Sequence, residues 1–143
     1  NAAPIVDALS SEPELTVSAV FPENNPFGHI VNGENNRLNL NIENTSGKNV
    51  TLLSVAGGFF NTVGEGLIKA TSNLTYGIPL MNGAKVVLPY SFHSELKTGE
   101  VKLHLDLEHV AEGKRYRVDA YDSIVTVVEP EISIFDFKMY VAY

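Results

Sequence analysis

Strict alternation of apolar and polar residues over 100–109 restricts the fold of this chain more than any other feature. The segment reads E-V-K-L-H-L-D-L-E-H, with valine and leucines in one phase and charged or polar residues in the other. Successive side chains of a β-strand point to opposite faces, whereas a helix would spread these leucines around its circumference. The segment therefore predicts a strand with one buried and one solvent-facing side.

The same two-residue period recurs along the chain, and turn-forming pairs separate the segments that carry it. Asn82-Gly83 and Glu112-Gly113 are typical of hairpin turns. About seven short strands with frequent turns predict an all-β chain folded as an immunoglobulin-like β-sandwich. The expected strands lie within 15–21, 38–43, 50–56, 75–80, 86–92, 100–109 and 115–128.

Two positions predict departures from regular strands. Pro89 lies inside the 86–92 run and cannot donate a ladder hydrogen bond, which places that strand at a sheet edge or at a bulge. The alternation of 115–120 breaks near 121–123, which predicts a bulge or bend within a long last strand.

The length and composition fit one domain that needs no disulfide or metal ion for stability. The chain has 143 residues, of which 44% are hydrophobic, and a domain of this size buries about 68–70% of its unfolded surface. We assign residues 1–13 to a flexible lead-in, 14–129 to the sandwich and 130–143 to a connector that leaves it. No run reaches the ~18–20 apolar residues of a membrane helix.

Charge and cysteine content exclude several classes of function. Ten Lys and Arg against 17 Asp and Glu give a net charge of −7, which repels phosphate backbones and argues against nucleic acid as a partner. The absence of cysteine removes disulfides, thiolate zinc sites, iron–sulfur clusters and cysteine nucleophiles.

No catalytic pattern stands out, so we predict that the chain is not an enzyme and uses no cofactor. The HExxH, GxSxG and P-loop motifs are all missing. His104 lies in the polar phase of its strand and His109 in the opposite phase, so the two would not share a face or one metal ion. All four histidines are interpreted as solvated surface residues: His29, His93, His104 and His109.

One acidic group has the composition of a calcium site. It combines Asp119 and Asp122 with Glu129 and Glu131. It lacks the D-x-[DN]-x-[DN]-G spacing of a calcium loop, and Asp119 lies on the polar side of a strand. We therefore interpret these carboxylates as solvated, and the sequence predicts no metal site.

Three N-glycosylation sequons begin at Asn44, Asn49 and Asn73. A motif this short arises often by chance in a chain rich in Asn, Ser and Thr, so the number of matches proves little. All three fall in or beside expected loops, where a glycan could stand in solvent, and all three are candidate sites.

Four segments, in their order and spacing, carry a resemblance to a known family. They are Phe21-Pro22-Glu23-Asn24-Asn25 after the first strand, the run 86–92 ending Y-S-F, the alternating 100–109 strand with the Gly113 turn, and the closing run 124–129. Together they resemble the lumenal domain of the translocon-associated protein alpha subunit, also called signal sequence receptor alpha, and most closely its fungal branch. The resemblance covers about 14–138, nearly the whole expected fold.

The resemblance implies a single-pass protein of the endoplasmic reticulum membrane whose large domain lies in the lumen beside the protein-conducting channel. The implied partners are the channel, other translocon subunits and nascent chains, and the implied role is to assist translocation of clients with weak signal sequences. The family has a membrane helix soon after the closing hairpin, and we expect that helix outside this chain. The family brings no catalytic residues.

Under this interpretation, contacts with partners are expected in two loops. The 22–36 loop carries Phe27 and Ile30, which look exposed, although Phe27 could instead cap the core. The 57–66 segment carries Phe59 and Phe60 in tandem, and adjacent strand residues point to opposite faces. One of the two phenylalanines is therefore expected at the surface, where an exposed aromatic ring is a candidate protein contact.

Two other classes of function remain open from the residues alone. The same pattern fits an extracellular adhesion or binding module of the immunoglobulin or fibronectin type. A single helix directly after the domain would favour the interpretation as a translocon domain, and tandem copies of the domain would favour the interpretation as an adhesion module. A jelly-roll enzyme or lectin would need convergent polar groups in a pocket, and the sequence shows none.

Overall fold

The alternating segments become strands of two sheets in the computed structural model, which describes residues 15–63 and 66–130. The strands are β1 (Leu15–Val20), β2 (His29–Val31), β3 (Asn35–Asn44), β4 (Val50–Phe60), β5 (Leu67–Ala70), β6 (Leu74–Leu80), β7 (Lys85–His93), β8 (Gly99–Ala111) and β9 (Lys114–Val128). The described residues contain no helix, and the predicted all-β sandwich is confirmed. Nine strands replace about seven because β2 and β5, of 3 and 4 residues, are too short to show alternation.

Two sheets of unequal size form the sandwich. The smaller has the order β1-β3-β7, and the larger has the order β2-β9-β8-β4-β5, with β6 also paired to β4. The pairs are antiparallel apart from β2 with β9, which is parallel. A short parallel strand of this kind leaves no alternation signal, and the sequence did not predict it.

The apolar phases of both sheets meet in one core. Phe59 of β4 and Phe92 of β7 join the sheets, with ring centroids 5.8 Å apart. Burial of a large apolar side chain contributes about 1.5–3 kcal/mol to stability, so this layer dominates the folding energy. The buried residues that the alternation predicted include Leu38, Leu40, Ile42, Leu88, Tyr90, Phe92, Val101, Leu103, Leu105 and Leu107.

Pro89 lies in an edge strand, where its missing N–H group is tolerated. β7 is an outer strand of the smaller sheet, and its inner neighbour is β3. The carbonyl oxygen of Pro89 accepts a hydrogen bond from Tyr76 Oη at 2.7 Å, so this residue turns its backbone polar side away from β3. No ladder hydrogen bond is lost by having proline there.

The predicted irregularity in the last strand is a bulge at Ala120. Leu105 of β8 faces Tyr121, and the next residue, Asp106, faces Asp119, so Ala120 is the extra residue of β9. A bulge of this kind shifts the alternation by one residue. It consequently places Asp119 and Asp122 on the same outer face of the larger sheet.

The sandwich has two ends with different contents. The exit end holds the loops 21–28, 32–34, 61–63 and 94–98, together with Glu129 and Pro130, where the described chain stops. The opposite end holds the turns 45–49, 81–84 and 112–113. The register supports this division, because Gly99 pairs with Val127 near the exit end and Val50 pairs with Ala111 at the opposite end.

The expected lead-in at 1–13 and most of the expected connector at 130–143 lie outside the described residues. Within the described residues, the first strand begins at Leu15 and the last strand stops at Val128. Within the described ranges there is no helix long and apolar enough to cross a membrane.

Candidate functional site

Phe27 is a highly exposed aromatic side chain beside the exit end. The residue is 82% exposed, and its ring stacks on His29 with centroids 5.9 Å apart. The Asn25 side chain closes this loop, because its Nδ2 donates to the His29 carbonyl at 2.8 Å and its Oδ1 accepts from the His29 N–H at 2.9 Å. The loop therefore presents Phe27 to solvent on a fixed support.

Ile30 was expected to be exposed, and this expectation is wrong. The residue is 0% exposed, three positions after Phe27. It pairs with Val127 in the parallel β2–β9 ladder, which directs its side chain into the core. Ile30 therefore stabilises the loop from below and offers no surface to a partner.

The tandem phenylalanines divide between core and surface as the alternation predicted. Phe59 is buried, and Phe60 is half-buried on the outer face of the larger sheet. The Phe60 ring meets the His104 ring edge to face, with centroids 6.4 Å apart. Of the pair, Phe60 alone can touch a partner in this fold.

Sequence reasoning missed the aliphatic residues around the same hairpin. Val63 is 87% exposed at the exit end, and Leu67 and Ile68 of β5 are exposed as well. Ile124 of β9 is also exposed; it pairs with Lys102, which in turn pairs with Phe60. The G-E-G stretch after Val63 indicated a turn. Only aromatic residues were considered as contacts there, and so Val63 was not named.

Hydrogen bonds hold the last described residues at the exit end. The Asn32 N–H donates to the Val128 carbonyl at 2.9 Å, and Asn32 Nδ2 donates to Glu129 Oε2 at 2.9 Å. The Asn32 side chain also exchanges hydrogen bonds with the backbone of Leu96, at 2.6 and 2.9 Å. A polar groove of about 750 Å³ lies alongside, between Pro22, Arg37 and Pro130.

His104 lies among three carboxylates, which corrects its interpretation as a freely solvated histidine. Its Nε2 lies 3.0 Å from Asp106 Oδ1 and 3.6 Å from Asp119 Oδ1. On the other side of the ring, Nδ1 lies 3.4 Å from Asp122 Oδ2. Burial alone would lower the pKa of His104, but the carboxylates, first among them Asp106, raise it above its ordinary value.

The His104 cluster follows from the bulge in β9. Without the extra residue, Asp119 and Asp122 would point to opposite faces, so alternation alone could not bring them together. His104, Asp106 and Asp119 offer ligand atoms within 4.8 Å of one another, and protonated His104 forms ion pairs with both carboxylates. Glu129, expected beside the two aspartates, instead binds Asn32 at the exit end, and Glu131 lies outside the described residues.

His109 is buried, which corrects its interpretation as a surface residue. It follows Leu103, Leu105 and Leu107 in the apolar phase of β8 and is fully buried. Its ring stacks on Tyr116 at 5.6 Å, and neither ring nitrogen has a hydrogen-bond partner among the described residues. Burial lowers the pKa of His109 to about 4, so the side chain is neutral at pH 7.

The three sequons differ sharply in their accessibility. Asn44, the last residue of β3, is fully buried, and its Nδ2 donates to the carbonyls of Lys48 at 2.7 Å and Leu80 at 2.9 Å. Asn49 and Asn73 are both exposed. Only these two present the amide nitrogen that would carry a glycan in the folded protein.

Comparisons with known proteins give a family and a set of structural neighbours. A family model described as translocon-associated protein (TRAP), alpha subunit, matches residues 11–142. No curated protein matches the chain. Among solved structures, the Northeast Structural Genomics Consortium target SoR45 has 11% identity and a TM-score of 0.55, over 87% of this chain and 97% of that one.

Two further solved structures are similar. The alkylpurine DNA glycosylase AlkC of Pseudomonas fluorescens has 16% identity and a TM-score of 0.51, over 82% of this chain and 31% of that one. PapD-like domain 7 of human CEP192 has 15% identity and a TM-score of 0.49, over 85% of this chain and 92% of that one. Matches at sequence identities this low support a similarity of fold and carry no information about function.

The fold defines an immunoglobulin-like β-sandwich, and its two most exposed large hydrophobic residues among those described, Phe27 and Val63, lie near the exit end. Within that class the chain belongs to the translocon-associated protein alpha subunit family, because the family model spans nearly all of it. Membership associates the chain with the translocon of the endoplasmic reticulum and with its other subunits. The resemblance read from the four sequence segments is thereby confirmed.

Proposed function

We propose that this chain is the lumenal accessory domain of a membrane-anchored translocon subunit and that it docks beside the protein-conducting channel through its exit end. It assists translocation of secretory and membrane proteins without chemistry of its own, and nascent chains are further partners. A helix outside this chain anchors it. Family membership supports the translocon role over an extracellular adhesion module.

One observation carries the choice of the docking end. The two most exposed of the large hydrophobic residues in the described chain, Phe27 at 82% and Val63 at 87%, both lie near the end where the chain leaves at Pro130. His29, which supports Phe27, pairs with Thr126, two residues before the end of β9. An anchor that follows the chain would bring these side chains to the membrane side of the domain, where the channel lies.

The docking surface is therefore assigned to Phe27, Phe60 and Val63. Exposed apolar side chains on a rigid support are favourable contact points, because little conformational entropy is lost on binding. Asn25 fixes the loop that carries Phe27, and the β4–β5 hairpin carries the other two. Ile30 and Phe59, both named from the sequence, take no direct part because they are buried.

Photo-crosslinking from the full-length protein in native microsomes tests the proposal. A photoreactive amino acid at position 27 or 63 is expected to give adducts with channel subunits or nascent chains. Position 81 is the matched control, because Met81 is 63% exposed and apolar but lies at the opposite end. Equal adducts from position 81, or none from positions 27, 60 and 63, would overturn the assignment of the docking end.

A further inference from the structure

The segment that carries Asn73 is pinned to both sheets. Asn73 lies in the connection between β5 and β6. The N–H of Thr71 donates to the Gly57 carbonyl of the larger sheet at 2.9 Å. The Tyr90 hydroxyl of the smaller sheet donates to the Ser72 carbonyl and lies 2.8 Å from Thr71 Oγ1. Asn73 is therefore exposed on a backbone that is held in place.

A groove of about 280 Å³ opens directly beside Asn73 on the outer face of the larger sheet. Its floor is formed by small residues of β4, Ser54, Ala56 and Gly57, which leave room above the sheet. Its walls are polar and come from β8 and β9, and Glu108 Oε2 accepts a hydrogen bond from Arg117 Nη2 at 3.2 Å. The lining residues are Ser54, Ala56, Gly57, Asn73, Asp106, Glu108 and Arg117.

We propose that Asn73 carries an N-linked glycan and that the first sugar of this glycan lies in the groove. Sugar hydroxyls can donate to the carboxylates of Asp106 and Glu108, and the N-acetyl carbonyl can accept from the Arg117 guanidinium. The small floor receives the apolar face of the ring. The proposal rests on the lumenal location in the proposed function, since the sugar is transferred in that compartment.

The other two sequons provide the contrast. A glycan on Asn44 is incompatible with this fold, because the residue is fully buried and its Nδ2 donates both hydrogens, one to Lys48 in the adjoining turn and one to Leu80 of β6. Asn49 is exposed at the opposite end, where its Oδ1 accepts from the Asn82 N–H at 2.9 Å. Asn49 lines neither of the two grooves described above, so a glycan there serves as a matched control.

Site mapping gives the first test. The chain is produced behind a cleavable secretory signal in glycosylating cells, and occupancy is read by glycopeptide mass spectrometry on total protein. We expect sugar at Asn73 and at the exposed Asn49, loss of the Asn73 sugar in Thr75→Val, and none at Asn44. An unoccupied Asn73 overturns this proposal. It leaves the docking proposal standing, because mapping requires no channel contact, and failed crosslinking would likewise leave the mapping result intact.

Enzymatic trimming of the folded glycoprotein tests the groove. If the first sugar is bound, peptide-N-glycosidase should release the glycan from Asn73 about tenfold more slowly than from Asn49, a factor expected from one or two net hydrogen bonds. Ala56→Gln, which fills the groove, should remove the difference without changing site occupancy. Equal release from both sites in the parent protein would overturn the groove contact.

Thermal unfolding provides an independent readout of the same contact. Loss of the Asn73 glycan in Thr75→Val should lower the midpoint of thermal unfolding by about 3 °C. Loss of an Asn49 glycan in Thr51→Val removes no contact with the groove, so it should cause no such decrease through the groove. In the Ala56→Gln background, Thr75→Val should have no further effect. An equal loss with and without the Ala56 substitution would show that the glycan acts without entering the groove.

Discussion

At the scale of single residues, two histidines of one strand have opposite electrostatic environments. His104 faces outward among Asp106, Asp119 and Asp122, which hold its pKa above the ordinary value despite partial burial. His109 faces the core, where burial lowers its pKa to about 4. The two therefore influence stability on opposite sides of pH 6.5, the ordinary pKa of histidine.

His109 should make the fold sensitive to acid. Its folded pKa lies below its unfolded value, so the unfolded state binds more protons as the pH falls from about 6.5 to 4, and stability is lost over that window. The loss attributable to this residue is about 3 kcal/mol at full protonation. Urea unfolding of the parent and of His109→Leu at pH 7 and 4.5 measures it.

The variant isolates the histidine from other acid effects. Leucine has no charge to bury, so the stability of His109→Leu should fall less than that of the parent on acidification. Parallel losses in the two proteins would contradict the buried neutral state.

His104 should act at higher pH. Its folded pKa is raised, so its contribution is fully present below about pH 6.5 and is lost as the pH rises through the folded pKa. His104→Gln should therefore reduce the unfolding free energy more at pH 6 than at pH 8.5. A difference that does not change with pH would assign the effect to packing against Phe60.

Gly57 permits the close approach of β4 and β8. A Cβ atom at this position would lie 1.9 Å from the His104 carbonyl oxygen, which is backbone and cannot move aside alone. Gly57→Ala should therefore cost about 3 kcal/mol of stability by overpacking, measured by chemical denaturation. Gly66→Ala is the control, because its Cβ meets only the Asn61 side chain at 3.0 Å.

At the scale of strands, the outer edge of β7 is protected by Pro89 and by Tyr76, which binds the Pro89 carbonyl. Pro89 removes an N–H group on the side turned away from β3, where another chain could pair. Pro89→Val should change the unfolding free energy by about 1 kcal/mol or less, yet increase self-association, measured by sedimentation at rising concentration. Adding Val87→Lys should reverse the association, because charge at an edge disfavours pairing; persistence of the oligomer would assign it to another surface.

The strands also mark what the sequence could and could not predict. Alternation located the long strands and showed which of their residues are buried. It also placed His109 in the same phase as the leucines, but we interpreted His109 as a surface residue because histidine is polar. Pro89 predicted an edge strand or a bulge, and the break near 121–123 predicted a bulge or a bend. Alternation could not show that the bulge gathers Asp119 and Asp122 around His104, because register between distant strands decides that contact. Nor could it detect the parallel β2, whose pairing buries Ile30.

At the scale of the whole molecule, the two most exposed of the large hydrophobic residues in the described chain lie away from the solvent-facing sequon at Asn49. Phe27 and Val63 lie near the exit end, and Asn49 lies at the opposite end. A docking domain needs this separation, because a bulky glycan at the contact surface would exclude a partner. The sequence located the 22–36 and 57–66 loops. Only the fold showed that Phe27 and Val63 in these loops lie near the end where the described chain stops at Pro130.

Charge placed at the exit end should weaken docking without unfolding the domain. Phe27→Asp combined with Val63→Asp should reduce the channel subunits recovered by affinity capture of the full-length protein about tenfold or more, since each exposed contact is worth about 1 kcal/mol or more. Stability should change by about 0.5 kcal/mol or less. Met81→Asp is the control, and an equal reduction by that variant would contradict end-specific docking.

The ladder of β9 also determines how the domain would bear a mechanical load. β9 pairs with β8 over 13 positions, and its last three residues pair with the parallel strand β2. Asn32 adds a hydrogen bond to Glu129. Tension applied at Pro130 along the strand axis is shared by many hydrogen bonds in shear, so none is opened singly. Attached through this strand, the sandwich would resist pulling from its tether better than pulling from its first strand, β1, which pairs with β3 over six positions.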